Sequence, residues 1–351
     1  MRQGPGSATT IKTMTKMKKK IKLAEVAQIA GVSTATVSRV INDYPFVREN
    51  TRKQVLRVIQ ETNYRVNAVA RNLRRKKTHS IGVIVSNVLS PFYSVIAKAV
   101  EDAAIMNGYR TILCNGGDNP EKELNYLKVL HENRVDGIIL SPTGKNGDYL
   151  AFLMASGIPV VFVDRVVEGI HADAVLVNNR EASARAVRFL LEKGYRKIGY
   201  VSGPVDRFTG KERLAGYSDA FRTYGLSCDE TLFFYGDFSY ESGRSGALAL
   251  IEQRDIDALY VANTDMATGA FHVLMEKGVK VPRRMAFVIF DDPDWATLVS
   301  PPVTAVKQPV YELGATAAQL LMRRINEEMK PPGREPVKVV LEAELVVRSS
   351  A

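Results

Sequence analysis

The sequence predicts an α/β protein: a small all-α helix-turn-helix headpiece followed by a larger two-lobed core with parallel sheets. Three observations lead there. Residues 26–42, VAQIAGVSTATVSRVIN, have the spacing of two short helices crossed around a glycine. From Ser80 onward, apolar strand-like runs alternate with helical stretches in two successive series. The charge divides the same way. Residues 1–77 carry 18 Lys+Arg against 4 Asp+Glu, a net of +14, while the whole chain is +10, so residues 78–351 net −4.

Residues 1–20 lack periodicity and are rich in Lys, Thr, Gly and Met, which predicts a disordered tail. The headpiece is expected over residues 21–66. Val26, Ala27, Ala30, Val32, Val37 and Val40 fall where two crossed helices at 22–30 and 34–42 would each bury one face. Gly31 sits at the corner, where a positive φ is cheapest for glycine. Ser33 is a good N-cap for the second helix. Asn42-Asp43-Tyr44-Pro45 stops that helix, and Val55, Leu56, Val58 and Ile59 supply the apolar face of a third at 49–62. An ordinary αα-hairpin would share this pattern. The basic surroundings favour a polyanion, because Lys and Arg displace condensed counterions from phosphates.

Residues 67–77 begin NAVARNLRR and are helical in composition but too short to hold a helix alone. On DNA, phosphates would offset the repulsion among Arg71, Arg74 and Arg75, and a partner helix could cover Val69 and Leu73. Leu73 is then a candidate wedge between base steps in the minor groove. A basic linker without a fold is the other reading.

In the core, residues 78–351, strands are predicted near 81–85, 110–114, 136–140 and 159–163. A second series follows near 197–201, 232–236, 257–261 and 285–290. Gly108, Gly157, Gly194, Gly225 and Gly278 stand where the intervening helices should end. Two βα series imply two similar lobes, with ligands beyond the carboxyl ends of the strands and a cleft between lobes as the binding site.

Composition excludes several classes. No apolar run is long enough to span a bilayer, and no apolar segment follows the basic N-terminus as a secretory signal requires, so a cytoplasmic protein without membrane contact is expected. Cys114 and Cys228 form no metal spacing. Histidines number four, GPVDRFTG is no phosphate loop, and no nucleophile–base pair is apparent. An enzyme is therefore not expected, nor a cofactor or a metal.

Taken together, AGVSTATVSRVIN, NAVARNL, VDGIIL, GPVDRFTGKERLAGY and VIFDD resemble the lac repressor family of bacterial transcription regulators, over about residues 21–348. The resemblance implies a DNA-binding headpiece, a hinge helix and a core like the ribose-type periplasmic binding proteins, acting as a homodimer on a pseudo-palindromic double-stranded operator. It also implies control by a small effector, a monosaccharide or sugar derivative in the inter-lobe cleft. Thr34 and Ala35 match positions that face base edges; Ala35 can offer only apolar contact, as to a thymine methyl. Thr36, Ser38, Arg39 and Asn42 match base or phosphate contacts. Asn67, Ala70 and Leu73 belong to the hinge, with Leu73 at the intercalating position. The first lobe would comprise about 78–177 and 309–336, the second about 178–308 and 337–351.

In the cleft, Phe92 and Tyr93 would stack on a sugar face. Asp164, Arg165, Arg213, Phe238, Asn263, Asp291 and Gln308 complete a set similar to ribose-type sites. Carboxylates there accept hydroxyls, while Arg and Asn donate to hydroxyl or ring oxygens. Singly, each polar residue is also a plausible helix cap or salt-bridge partner. Ser90 departs from the asparagine common at its position, and Asn178-Asn179 from Asp-Asn. Arg207 and Thr209 match positions that contact a purine effector in one branch, so a nucleobase stays open; Arg207 would also suit a phosphate or a sugar acid. Control by a protein corepressor stays open as well, as does a solute-binding protein without regulatory role. The absence of a leucine heptad after the last strand predicts a dimer rather than a dimer of dimers.

Overall fold

The computed structural model describes residues 21–41, 44–62, 64, 77–326 and 335–351. Asn42 and hinge residues 67–76, with Asn67, Ala70 and Leu73 among them, lie outside these. The described residues fall into two units divided at Lys77, each taken by itself.

The headpiece contains α1 (Leu23–Ile29), α2 (Thr34–Ile41) and α3 (Glu49–Glu61). Its core is built from small residues, Val26, Ala27, Ala30, Val37, Val40, Val55 and Val58, which lets the helices cross closely. Val32 and Ile59 pack partly buried at its edge, whereas Leu56, expected on the same face, is 46% exposed. Gly31 turns the corner at φ 63 with nothing near the place of a Cβ. A side chain there would meet conformational cost alone. Gly31→Val is accordingly expected to lower headpiece stability by about 1–2 kcal/mol, read as a lower urea midpoint by circular dichroism. Ser33 caps α2 as predicted: its Oγ accepts the Thr36 N–H at 3.1 Å and pairs with the Thr36 hydroxyl at 2.9 Å.

The core opens with β1 (Ser80–Val85), α4 (Pro91–Met106), β2 (Arg110–Asn115), α5 (Pro120–Glu132), β3 (Gly137–Leu140), α6 (Gly147–Ala155), β4 (Val160–Val163) and β5 (Asp173–Val177). The chain then passes to a second lobe through α7 (Asn179–Glu192), β6 (Ile198–Ser202), α8 (Phe208–Thr223), β7 (Phe233–Tyr235), α9 (Tyr240–Gln253), β8 (Ala258–Val261), α10 (Thr264–Glu276), β9 (Ala286–Phe290), the single turn α11 (Trp295–Leu298) and β10 (Thr304–Lys307). It returns through α12 (Val310–Asn326) and β11 (Lys338–Leu341), then crosses once more to β12 (Glu344–Val346).

Each lobe is one sheet. The first has the order β11-β5-β4-β3-β1-β2 and the second β12-β10-β9-β8-β6-β7. Apart from β12, which runs antiparallel to β10, all the pairings are parallel. The βα alternation places the carboxyl ends of the strands at one edge of each sheet. The five predicted helix-ending glycines all have φ between 63 and 95. Three strands escape the alternation rule: no helix precedes β5 or β12, and only one turn precedes β10. The C-terminal boundary needs correction. Residues 337–351 are expected to belong wholly to the second lobe, but Lys338–Leu341 pairs parallel with β5 in the first sheet and only Glu344–Val346 joins the second. The unbroken apolar pattern hides a crossing at Glu342-Ala343. Asn178 ties two of the three crossings together: its Oδ1 accepts the Ala343 N–H at 2.9 Å and its own N–H donates to the Leu341 carbonyl at 3.1 Å.

Candidate functional site

In the headpiece, α2 presents Thr34, Ala35 and Arg39 to solvent, with Thr36 and Ser38 half-buried. The Thr36 hydroxyl is engaged by Ser33, so part of its polar capacity goes to capping the helix. The Arg39 guanidinium lies 6.0 Å from the centre of the Tyr44 ring, which restrains a cation in the last turn of α2. This exposed face of small and polar groups has the shape and chemistry a major groove admits.

In the core, a cavity of about 580 Å³ lies at the carboxyl ends of the strands and draws its walls from both lobes. Nine of the sequence-predicted effector residues line it: Phe92, Tyr93, Asp164, Arg165, Arg213, Phe238, Asn263, Asp291 and Gln308. Arg207 does not. Its guanidinium donates instead to the backbone carbonyls of Thr143 and, at 3.1 Å, Asp118. Its guanidinium is thus engaged by the backbone of the first lobe rather than placed on the cavity wall. Thr209, one turn into α8, is buried and does line the cavity.

Among the described residues, non-glycine positive φ values occur at six positions, and Asp118 (52), Asp164 (69), Phe238 (69) and Asp291 (77) all line this cavity. Each costs about 1–3 kcal/mol, so the surrounding structure must hold them there. At Phe238 the cause is visible: a Cβ on Gly203 would lie 2.0 Å from the Phe238 ring, so glycine makes the room that ring occupies.

The first lobe contributes a buried polar chain. The Tyr93 hydroxyl donates to Asp164 Oδ2 at 2.8 Å, and Ser141 Oγ approaches the Tyr93 oxygen at 3.4 Å. Arg165 donates to Asp118 Oδ1 at 2.5 Å, and its Nε sits 3.4 Å from Asp164 Oδ2. Ser86 Oγ donates to the same Asp118 oxygen at 2.9 Å. Burial raises the Asp164 carboxyl above the ordinary carboxylate range, against the opposing pull of Arg165 and Arg213. Burial works on Asp118 in the same sense, but there the Arg165 charge and hydrogen bond win, with Ser86 and Arg207 adding, and the carboxyl is held below its usual range. Burial likewise pushes the Tyr93 phenol well up, so it stays a donor.

The second lobe supplies the opposite wall. Arg213 donates to Asn179 Oδ1 at 2.8 Å and to the Ala262 carbonyl at 2.6 Å, and lies 3.7 Å over the Phe290 ring. Asn263 is the N-cap of α10, accepting from the Met266 N–H at 3.0 Å, while its amide donates to the Phe238 carbonyl at 3.2 Å. Asp291 Oδ2 accepts both the N–H and the hydroxyl of Thr264, at 3.1 and 3.0 Å, and Gln308 Nε2 donates to Oδ1. Capping and ligand binding are therefore not exclusive readings: the caps themselves form the cavity wall. Two buried lining atoms have no hydrogen-bond partner, Arg165 Nε and Gln308 Oε1. The ion-pair distance from Arg165 Nε to Asp164 lacks hydrogen-bond geometry.

Sequence reasoning missed Ser86, Asp118, Asp237, Tyr240 and Asp265, all of which line the cavity. Asp118 was within reach, since GGDNP directly follows a strand at its carboxyl end. Asp265 carries no such signal; burial raises its carboxyl, and Asp291 adds to the rise. Among the described residues no group of His, Cys, Asp and Glu could hold a metal ion, and no helix is long and apolar enough to cross a membrane.

Comparison with known proteins agrees with this architecture. Residues 78–341 match the family of periplasmic binding proteins and sugar binding domain of the LacI family, and residues 22–67 match the bacterial regulatory proteins of the lacI family. Catabolite control protein A of Priestia megaterium is 35% identical over 310 residues, 88% of this chain and 93% of its own length. The HTH-type transcriptional repressor PurR of Pasteurella multocida (strain Pm70) is 35% identical over 330 residues, 93% of this chain and 98% of its own. Among solved structures, a transcriptional regulator CelR–cellobiose complex superposes with a TM-score of 0.72 at 34% identity, covering 94% of this chain and 100% of that one. The lac repressor dimer bound to operator and the anti-inducer ONPF gives 0.81 at 27% identity, covering 95% and 99%. With one family model spanning the core and the other the headpiece, the chain belongs to the LacI family of DNA-binding transcriptional regulators.

Proposed function

We propose that this regulator is a homodimeric repressor whose grip on a pseudo-palindromic operator is switched by a small uncharged sugar or sugar derivative in the core cavity. The balance of the cavity wall carries the reading. Asp118, Asp164, Asp237, Asp265 and Asp291 line it against only Arg165 and Arg213, and both guanidiniums already serve protein acceptors. Such a wall repels phosphates and carboxylates and accepts hydroxyl donors. Phe92 and Phe238 add aromatic faces, and the volume of about 580 Å³ lies in the usual range for small-ligand sites. Arg207, which suited an anionic ligand or a purine, is occupied elsewhere. The similarity to a repressor named PurR keeps a nucleobase as the second reading, and control by a protein corepressor stays open from the sequence.

The switch would act through differential affinity: a ligand that prefers one lobe arrangement shifts the equilibrium by that preference and by nothing else. Thr34, Ala35, Thr36, Ser38, Arg39 and Asn42 would read and hold the major groove, while Asn67, Ala70 and Leu73 of the hinge engage the minor groove. Calorimetric titration of the full chain with neutral mono- and disaccharides, sugar phosphates, hypoxanthine and guanine tests the ligand class. A response confined to phosphates or purines overturns the sugar reading. Gel shifts with and without the binding sugar then give the sign of control. Leu73→Ala is expected to weaken operator binding about tenfold or more while leaving sugar affinity unchanged. Unaltered operator affinity removes the wedge.

A further inference from the structure

We propose that Arg207 and Phe208 form a latch that fastens the second lobe to the first independently of any ligand. Both residues stand at the start of α8, whose strand neighbours all belong to the second sheet. Their partners belong to the first lobe. Arg207 donates to the carbonyls of Thr143 and Asp118, and Phe208 packs on an apolar cluster otherwise built from first-lobe residues such as Leu127, Leu140 and Phe162. One side chain contributes directed charge-assisted hydrogen bonds and the next contributes buried apolar area, so the contact has both specificity and strength.

The acceptors are held ready. Glu123 is 1% exposed, and its carboxylate accepts the Thr143 N–H at 2.7 Å, the Thr143 hydroxyl at 3.0 Å and the Asn146 amide at 2.7 Å. Without these bonds the loop offering the Thr143 carbonyl would lose its anchor. Asp118 is fixed through its carboxylate by Arg165 and Ser86 while its backbone carbonyl serves Arg207. Asp118 also lines the cavity, so one residue belongs to both latch and ligand site. A ligand drawing on Asp118 or Arg165 therefore biases the latch, whatever its chemical class. The latch puts a position that looked like an effector contact to work on lobe geometry instead.

The test needs no ligand. In the full chain with Cys228 replaced by serine, spin labels at Glu121→Cys on α5 and Lys211→Cys on α8 report the distance across the latch by pulsed electron resonance, with labelled chains diluted in unlabelled ones. The intact latch should give one short, narrow distribution. Arg207→Ala combined with Phe208→Ser should lower the ratio of short to long distances at least about tenfold, because two hydrogen bonds from a charged donor are lost. Arg207→Lys, a point charge in place of the fork, should fall between them. If the double variant does not fold, Arg207→Ala alone decides. The proposal is overturned by the same distribution with and without the latch residues, or by an Arg207→Lys protein indistinguishable from the alanine variant.

Discussion

Arg165→Met is expected to lower the unfolding free energy of the core by about 3 kcal/mol at pH 7 and to abolish the effector response. Arg165 is 4% exposed and stands between Asp164 and Asp118. Removing one member of such a cluster leaves the others charged and unpaired, which costs about 3–5 kcal/mol when burial is complete. The lower figure applies because the Asp118 side chain keeps 35% exposure, where solvent screens the loss. The pH dependence supplies a second check. In the wild type, Asp118 is held below its usual range, so its contribution is present above the unfolded carboxyl value and is lost only as pH falls through the lower folded one. Without Arg165, burial raises both carboxyls, and a raised group contributes stability below the unfolded value that disappears as pH rises. The deficit of the variant should therefore be largest at neutral pH and shrink as pH approaches 4. Urea titrations at pH 7 and pH 4.5 measure it; a deficit independent of pH would show that packing rather than unpaired charge is lost.

Asp291→Ala is expected to reduce effector affinity by at least about a hundredfold while the headpiece keeps its affinity for operator. The side chain serves three donors in the protein, the Thr264 N–H and hydroxyl and the Gln308 amide, and it faces the cavity. Truncation frees Gln308, whose Oε1 already lacks a partner, and leaves the Thr264 N–H and hydroxyl at the start of α10 without their acceptor. Each stranded buried group costs about 1–3 kcal/mol, so two misplaced ligand contacts account for the loss. Asp291→Asn keeps the shape and one acceptor and should retain more affinity than alanine. Calorimetry with the binding sugar, set beside operator gel shifts, separates the two effects. Equal affinity in wild type and alanine variant would place Asp291 in the framework alone.

The headpiece was legible because its rules are local. The apolar spacing of Val26, Ala27, Ala30, Val37 and Val40, the glycine at 31 and the serine cap at 33 each act within a few residues, and each lies as expected. Leu56 shows the limit: helical periodicity marks an apolar residue without saying whether a neighbour will cover it. The positions of most strands in both lobes were legible too, as short apolar runs, but Arg110–Asn115, expected to be buried, has only Cys114 buried because β2 is the edge of its sheet. The strands β5, β10 and β11 were not, or were placed in the wrong lobe, because the chain changes sheets around them and nothing in a four- or five-residue apolar run states which sheet it will join.

The cavity divides along the same line. The resemblance to ribose-type binding proteins was what singled out Asp164, Arg165, Arg213, Asn263, Asp291 and Gln308, and they line one space because parallel βα units bring the strand ends and the helices that follow them to one edge. Whether a guanidinium points into that space or away from it depends on atoms far off in the chain. Arg207 turns to carbonyls 64 and 89 residues earlier. The same dependence explains why Asp118 became a shared anchor and why Asp291 caps a helix while walling a site. Near-neighbour chemistry writes elements, charge distribution and family into the chain; the partner of each buried polar group follows from how two lobes meet, because hydrogen bonds are short and directional and only packing brings such distant groups within 3 Å.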